Sequence, residues 1–157
     1  MGRRRDSART VFLILPDLNL LLYAYNSHVA QHKLARDWWE SCVNSDELIA
    51  LPHEVLFGFV RIATNPRLGD AAISLGKAGS VVEGWVGLPQ ARVITPTAGH
   101  FSRVMGLMTQ AMARGTVLSD AVLAAYAIEH RACLCTNDTD FARFPGLNWT
   151  NPLSSAW

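Results

Sequence analysis

Five acidic residues border strongly apolar stretches of this sequence, where a globular protein seldom places a charge. An ionised carboxylate is almost never fully buried without a partner. Carboxylate oxygens are the ligands that Mg²⁺ prefers, and because this ion retains several waters it needs few direct ligands and leaves positions open for a phosphate. The pattern therefore predicts a hard-metal site suited to phosphodiester hydrolysis. The five residues are Asp17, Glu54, Asp120, Asp138 and Asp140.

Short apolar runs alternate along the chain with segments of helical spacing. This alternation predicts right-handed crossovers and a mostly parallel sheet with helices on both faces, an α/β fold. Strands are predicted at residues 10–15, 47–51, 92–95, 133–136 and 148–150. Helices are predicted at residues 18–25, 28–43, 53–64, 70–86 and 98–113, with a last one from Ser119 or Asp120 to His130.

The acids are distributed in the way that such a sheet favours, because functional residues gather beyond the carboxyl ends of parallel strands. Asp17 follows the first predicted strand and Glu54 the second, while Asp138 and Asp140 follow the fourth. Each acid alone has an equally good structural explanation, as a helix cap or as a first-turn residue that complements the helix dipole. Caps need not converge on one edge of a sheet, so the set as a whole favours a functional site.

Length and composition fit one domain. The 157 residues divide into a basic, flexible extension at 1–10, which contains Arg3, Arg4 and Arg5, and a single domain at 11–157. Half of the residues are apolar, which excludes a disordered chain. The net charge of +1 gives no overall attraction for nucleic acid, so an RNA partner would be held by local basic groups and by metal.

The cysteines and the apolar segments indicate a cytoplasmic protein with no membrane association. Cys42, Cys133 and Cys135 are odd in number, and the last two are too close within one extended run to form a bridge. Free thiols of this kind are typical of a reducing compartment. No segment is long and charge-free enough to span a bilayer.

Three segments carry a resemblance to a known family. PDLNLLLYAYN, HEVLFGFVRIATNPR and LSDAVLAAYAIEHRACLCTNDTDFARFPGLNWTNP resemble the VapC toxins of the PIN-domain ribonuclease superfamily, and the similarity extends over nearly everything after residue 10. The resemblance implies a PIN-like three-layer α/β/α sandwich and the toxin of a type II toxin–antitoxin system. Such a toxin is an endoribonuclease dependent on Mg²⁺ or Mn²⁺, inhibited by a cognate VapB-type antitoxin, homodimeric and able to form a toxin–antitoxin hetero-oligomer.

The same resemblance implies roles for individual residues. It makes Asp17 and Asp120 the principal metal ligands, Glu54 the third catalytic acid, and Asp138 the fourth acid and a further ligand. Supporting roles are implied for Asp140 and Thr136, which orient the other groups, whereas Asn19 stabilises the turn after Asp17. Phosphate contacts by arginine are the weakest expectation and fall on Arg61 and Arg67.

Two other functions are alternatives to a ribonuclease. A metal-dependent aspartyl phosphatase would need a second aspartate where Asn19 stands and a lysine late in the chain, yet Lys77 is the last lysine. A non-catalytic RNA- or protein-binding PIN-like domain with a vestigial metal site stays open as the alternative. It predicts binding without turnover.

Overall fold

Five short apolar segments form the strands of one parallel sheet. The computed structural model describes residues 12–154, so the predicted basic extension and the predicted start of the first strand at residue 10 lie outside the described residues. The strand order is β3-β2-β1-β4-β5, and every neighbouring pair is parallel. The strands are β1 (Leu13–Pro16), β2 (Leu48–Pro52), β3 (Ala91–Ile94), β4 (Cys133–Cys135) and β5 (Trp149–Thr150).

Helices fill the connections between the first four strands. Within residues 12–154, no helix combines the length and the apolar character that crossing a bilayer requires. Short 3₁₀ segments occur at Pro66–Ala71, Gly115–Val117 and Thr139–Arg143. The α-helices are α1 (Leu18–Tyr25), α2 (His32–Val43), α3 (His53–Ala63), α4 (Leu75–Val86), α5 (His100–Gln110) and α6 (Leu118–Glu129).

The strand order divides the helices into two layers. From β1 to β2 and from β2 to β3 the chain steps toward one edge of the sheet, whereas from β3 to β4 it returns past β1 to the other side. Because such crossovers are right-handed, α1 to α4 cover one face and α5 with α6 cover the other. The contacts agree, since α1 packs on α2 and α3, α3 on α4, and α5 on α6. The predicted three-layer sandwich is confirmed.

Two predicted helices begin later than expected. The helix predicted from His28 begins at His32, because the Asn26 side chain accepts the His28 amide at 3.0 Å and stabilises a turn there. The helix predicted at 70–86 begins at Leu75, where the Ser74 hydroxyl accepts the Lys77 amide as an N-cap. Asp70 and Ala71 belong instead to the 3₁₀ segment, which Gly69 kinks with a φ of 58°, and residues 72–74 lie in no helix.

The prediction that Ser119 or Asp120 caps the sixth helix is wrong. This helix begins at Leu118, with Val117 at the N-cap position. Neither the Ser119 hydroxyl nor the Asp120 carboxylate makes a capping hydrogen bond. The preceding 3₁₀ turn runs directly into the helix, and the Leu118 amide donates to the Gly115 carbonyl. Asp120 lies in the first helical turn instead, where its charge complements the helix dipole.

An aromatic cluster holds the helices of the first layer together. Phe59 of α3 is fully buried, and its ring centroid lies 4.7 Å from that of Trp85 and 5.5 Å from that of Tyr25. The Trp85 indole donates to the Tyr25 hydroxyl at 3.2 Å, so this buried nitrogen has a partner. Trp39 of α2 packs edge-on against Trp85. One cluster thus joins α1, α2, α3 and α4.

Phe59→Ala is expected to lower the free energy of unfolding by about 3–5 kcal/mol, because a buried ring is lost and its neighbours in the aromatic cluster cannot close the cavity. Urea denaturation followed by tryptophan fluorescence measures the change. Phe12→Ala is the matched control, since the Phe12 side chain is 59% exposed, and it should change the same quantity by less than about 1 kcal/mol. Equal losses in the two variants would contradict the assigned core.

Candidate functional site

Three of the predicted acids share one open cavity at the carboxyl edge of the sheet. Asp17 follows β1, Glu54 lies in the first turn of α3, and Asp120 lies in the first turn of α6. The cavity has a volume of about 590 Å³, within the range typical of ligand sites. Its lining also includes Leu18, Asn19, Val55, Phe57, Gly58, Arg61, Ser119 and Leu123.

The position of this cavity follows from the topology. The chain leaves β1 toward one edge of the sheet and leaves β4 toward the other, so the neighbouring pair β1 and β4 is the switch point. Open α/β sheets bind ligands outside the carboxyl ends of the strands at such a point. Asp17 directly follows β1, and Thr136 directly follows β4.

Backbone and side-chain hydrogen bonds fix Asp17 at this point. Its amide donates to the Cys135 carbonyl at 2.8 Å and extends the ladder between β1 and β4. The fully buried Thr136 hydroxyl donates to the Asp17 Oδ2 atom at 2.7 Å. The same hydroxyl oxygen accepts the Asp138 amide at 3.0 Å. Thr136 therefore holds the Asp17 carboxylate by a hydrogen bond and anchors the turn that carries Asp138.

Burial makes the ionised form of Asp17 costly. With only 7% of the residue exposed, burial raises the pKa of Asp17 from 3.8 to about 6. The hydrogen bond from Thr136 favours the charged form and opposes this rise, while the negative charges of Asp120 and Asp138 add to it. The carboxyl group is thus poised to lose its proton near neutral pH.

Asp120 is under a similar but weaker constraint. Burial is the main cause that raises the pKa of Asp120, and the charge of Asp138 is the next. The Arg143 guanidinium lowers it, and Asp140 raises it slightly. Acids from three separate segments therefore repel one another across the site, and a bound cation would relieve that repulsion.

Glu54 is positioned by a residue of another helix. The Glu54 carboxylate is exposed, and its Oε1 atom accepts a hydrogen bond of 3.0 Å from the Tyr126 hydroxyl. Tyr126 lies on α6 and is almost fully buried, and burial followed by the contact with Glu54 raises the pKa of its phenol. The neutral phenol is therefore a permanent donor to Glu54.

Asp138 and Asp140 lie beside the cavity and do not line it. The Asp138 Oδ1 atom accepts the Asp140 amide at 2.8 Å and caps the 3₁₀ segment that follows β4. Asp140 in turn pairs with Arg143, with 3.5 Å between Oδ2 and Nη2. Asp138 still acts on both Asp17 and Asp120 through its charge.

The two predicted phosphate-binding arginines occupy different places. Arg61 is exposed and lines the cavity, two turns after Glu54 on the same face of α3. Arg67 lies in the 3₁₀ segment after α3 and is absent from the cavity lining. Asn19 also lines the cavity with an exposed side chain. Of the two arginines, Arg61 is therefore the one placed to reach a phosphate beside the acids.

The donor set suits a hard, partly hydrated cation. Among residues 12–154, no three His, Cys, Asp or Glu side chains are grouped closely enough to enclose a metal ion. Mg²⁺ is commonly bound through one or two carboxylates and keeps waters in its remaining positions, so such an enclosure is unnecessary. Zn²⁺ in a structural site would need four nitrogen or sulfur ligands. Burial and neighbouring negative charge make the carboxylates of Asp17 and Asp120 costly to ionise. These two acids therefore suit Mg²⁺.

Three side chains that line the cavity or act on its acids were not assigned to the site from the sequence. Phe57 lines the cavity, and its place three residues after Glu54 on α3 was a usable signal, since such residues share a helix face. Tyr126 and Arg143 act on the acids through contacts and charge. Nothing local in the sequence marks these two, because their partners lie on other elements of the fold.

Comparisons with known proteins give consistent results. Residues 14–147 match the family model described as PIN domain. Ribonuclease VapC33 of Mycobacterium tuberculosis is 40% identical over 90% of this chain and 99% of its own length.

Among solved structures, VapBC2 from Rickettsia felis bound to a DNA fragment from its promoter has a TM-score of 0.65 at 20% identity, covering 89% of this chain and 98% of that chain. VapC20 of Mycobacterium tuberculosis, a Sarcin-Ricin loop cleaving toxin, has a TM-score of 0.64 at 17% identity, covering 86% and 98%. These two structures support the fold.

Asp17→Asn is expected to stabilise the metal-free protein at pH 7.5 by up to about 3 kcal/mol, since each pKa unit between 3.8 and about 6 corresponds to roughly 1.4 kcal/mol. The raised pKa means that the folded state retains the proton more strongly. Wild-type stability is therefore lost as pH rises from about 4 through about 6, and the advantage of Asn should vanish near pH 4. Urea unfolding in EDTA across this range measures it.

The matched control is Asp70→Asn, which alters an exposed aspartate outside the cavity. Its stability should follow that of wild type at every pH. An Asp17→Asn variant with no advantage at pH 7.5 would show that the buried carboxylate is not under strain.

Proposed function

The chain belongs to the PIN domain family and to its VapC branch, and on this basis we propose that it is a metal-dependent endoribonuclease that acts as the toxin of a type II toxin–antitoxin pair. The observation that carries the proposal is the convergence of Asp17, Glu54 and Asp120 on one open cavity at the switch point of the sheet. The ribonuclease names of its relatives, at up to 40% identity, support the same conclusion.

In the proposed reaction, the acids divide two tasks. Asp17 and Asp120, with Asp138 beside them, would hold Mg²⁺ or Mn²⁺, and this ion supplies positive charge that stabilises the phosphate as negative charge develops on it. Asp17 must be ionised to take part, which the pH of the cell allows for a pKa of about 6. Thr136 keeps the Asp17 carboxylate oriented throughout.

Glu54 is the proposed general base. Tyr126 holds one of its oxygens, which leaves the other free to accept a proton from the attacking water. The water oxygen then bonds to phosphorus, the bond from phosphorus to the leaving ribose oxygen breaks, and that oxygen takes a proton from solvent. Arg61, at the cavity lining, contacts a phosphate of the RNA and fixes its position.

The proposed partners are RNA, a cognate VapB-type antitoxin and a second copy of the chain. Similarity to solved VapBC assemblies supports the antitoxin. Met105 on α5 and Met112 just after this helix are exposed. A homodimer or a toxin–antitoxin hetero-oligomer would cover such apolar side chains. Cys42, Cys133 and Cys135 are all free thiols, as suits the proposed cytoplasmic location.

Purified protein is expected to cleave total cellular RNA at discrete positions with Mg²⁺ or Mn²⁺, and to stop when a chelator is added. Asp120→Asn should lower the cleavage rate by at least about 100-fold, because a ligand and its charge are lost. Mapping of new 5′ ends by sequencing measures the reaction and identifies the target.

Asp70→Asn serves here too as the matched control and should cleave like wild type, since Asp70 lies outside the cavity. Equal cleavage by wild type and Asp120→Asn would overturn the proposal. Metal and RNA binding by wild type without any cleavage would instead favour the non-catalytic PIN-like domain.

Tyr126→Phe is expected to lower kcat by about 3- to 30-fold with little change in KM, because Glu54 loses its only donor on α6 among the described residues. Adding Tyr126→Phe to a Glu54→Gln variant should then have almost no further effect. Single-turnover cleavage of an RNA that contains the mapped site measures both. Tyr23→Phe, which alters a phenol outside the cavity, is the control. Additive losses would mean that Tyr126 acts only through stability.

A further inference from the structure

Phe57 is an apolar ring exposed inside an acidic cavity. The residue is 70% exposed and lines the cavity together with Asp17, Glu54 and Asp120. An exposed phenylalanine on open surface needs no explanation, but here the ring adjoins the groups that are proposed to hold a phosphate. Its surface is therefore available to whatever adjoins that phosphate.

The geometry of α3 presents the ring and its neighbours together. Glu54, Phe57 and Arg61 follow the spacing i, i+3, i+7, which places them along one helical face. The His53 ring lies nearly parallel to that of Phe57, with an angle of 17° and 5.9 Å between centroids. This face therefore presents the Phe57 ring between a carboxylate and a guanidinium, with the His53 ring stacked beside it outside the cavity lining.

Close packing at the next residue fixes where α3 lies. A Cβ atom at Gly58 would approach the Leu18 Cδ2 atom to 2.7 Å, so α3 approaches α1 at this point as nearly as a glycine allows. Phe57 is thus carried on a helix that packs directly against α1, the helix that Asp17 precedes.

We propose that Phe57 is a stacking platform for an unpaired nucleobase of the RNA that adjoins the phosphate at the acids, with Arg61 contacting a neighbouring phosphate. This inference rests on the proposed function and assigns a base-binding side chain to the proposed RNA site. Splayed bases stack on exposed aromatic side chains, whereas bases in a duplex are already stacked and paired. A single strand alternates base and phosphate, and so matches a ring that lies between a metal-binding carboxylate and an arginine.

A peptide segment of a protein partner is a poorer occupant. It could place an apolar side chain on the ring, but it offers no phosphate to Arg61 and to a metal at Asp17 and Asp120. The cavity is polar where it meets the acids and apolar at Phe57, and a nucleotide has both characters within one unit. The two occupants are separated by experiment.

Binding is measured with every Phe57 variant built on Asp120→Asn, which prevents cleavage. The probes are a fluorescein-labelled 12-nucleotide oligoadenylate and the same ribose-phosphate backbone without bases, each followed by fluorescence anisotropy in Mg²⁺. Phe57→Ala is expected to weaken binding of the oligoadenylate by about 5- to 100-fold and to change binding of the abasic strand by less than about 2-fold. Phe57→Trp should stay within about 3-fold of Phe.

Two further variants test the details. Phe57→Leu keeps an apolar side chain without a π-face and should lose most of the same affinity. Arg61→Gln should weaken binding of both strands and reduce the salt dependence, because a phosphate contact is lost. Phe12→Ala, at the opposite end of β1 from the cavity, is the matched control and should bind like the parent.

Three outcomes would overturn the platform: equal oligoadenylate binding by Phe57→Ala and its parent, an equal loss with the abasic strand, or full binding by Phe57→Leu. A Phe57→Ala variant that loses affinity for the antitoxin while keeping that for RNA would assign the ring to a protein partner and overturn it as well. Failure of the ribonuclease proposal is seen separately, as the absence of metal- and Asp120-dependent cleavage by protein with an intact Phe57.

Discussion

The site depends on a buried negative charge at the switch point of the sheet. Asp17 is placed there by the ladder between β1 and β4, which its own amide extends. Its carboxylate accepts hydrogen bonds from the Thr136 hydroxyl and from the Asn19 backbone, yet burial still raises the pKa to about 6. A hydrogen bond therefore reduces the cost of this charge without removing it. The negative charges of Asp120 and Asp138 raise its pKa further.

A second buried carboxylate, that of Glu129, differs from Asp17 because basic side chains lie beside it. The Glu129 side chain is only 2% exposed, but His100 lies 2.8 Å from its Oε2 atom and Arg103 lies 3.7 Å from its Oε1 atom. The His100 ring and the Arg103 guanidinium of α5 thus accompany a buried acid of α6 and join the two helices. Among residues 12–154, Asp17 forms no ion pair with a basic side chain. Glu129 thus has a basic side chain beside it within the fold, whereas Asp17 has none among the described residues, an arrangement that agrees with the proposed cation site.

The sequence was sufficient to predict the sheet, its layers and the edge where the acids meet. Apolar runs and the rule for parallel sheets identified Asp17, Glu54 and Asp120, because each lies within a few residues of a strand end or at a helix start. Helix starts were less accurate, since the side chains of Asn26 and Ser74 select them through single hydrogen bonds. The spacing of apolar residues, from which the helices are predicted, gives no sign of such hydrogen bonds.

Contacts between distant segments were beyond sequence reasoning. The sequence around Tyr126 predicts one more core residue of an apolar helix. Its hydroxyl donates to Glu54 only because α6 passes near the first turn of α3. The ring of the same residue packs against His100 at 4.5 Å, and His100 holds Glu129. Tyr126 thereby connects the helix layer of α5 and α6 to Glu54 in the layer of α1 to α4. Since α6 also carries Asp120, the packing that stabilises this helix fixes two of the acids relative to each other, and the sheet fixes the third.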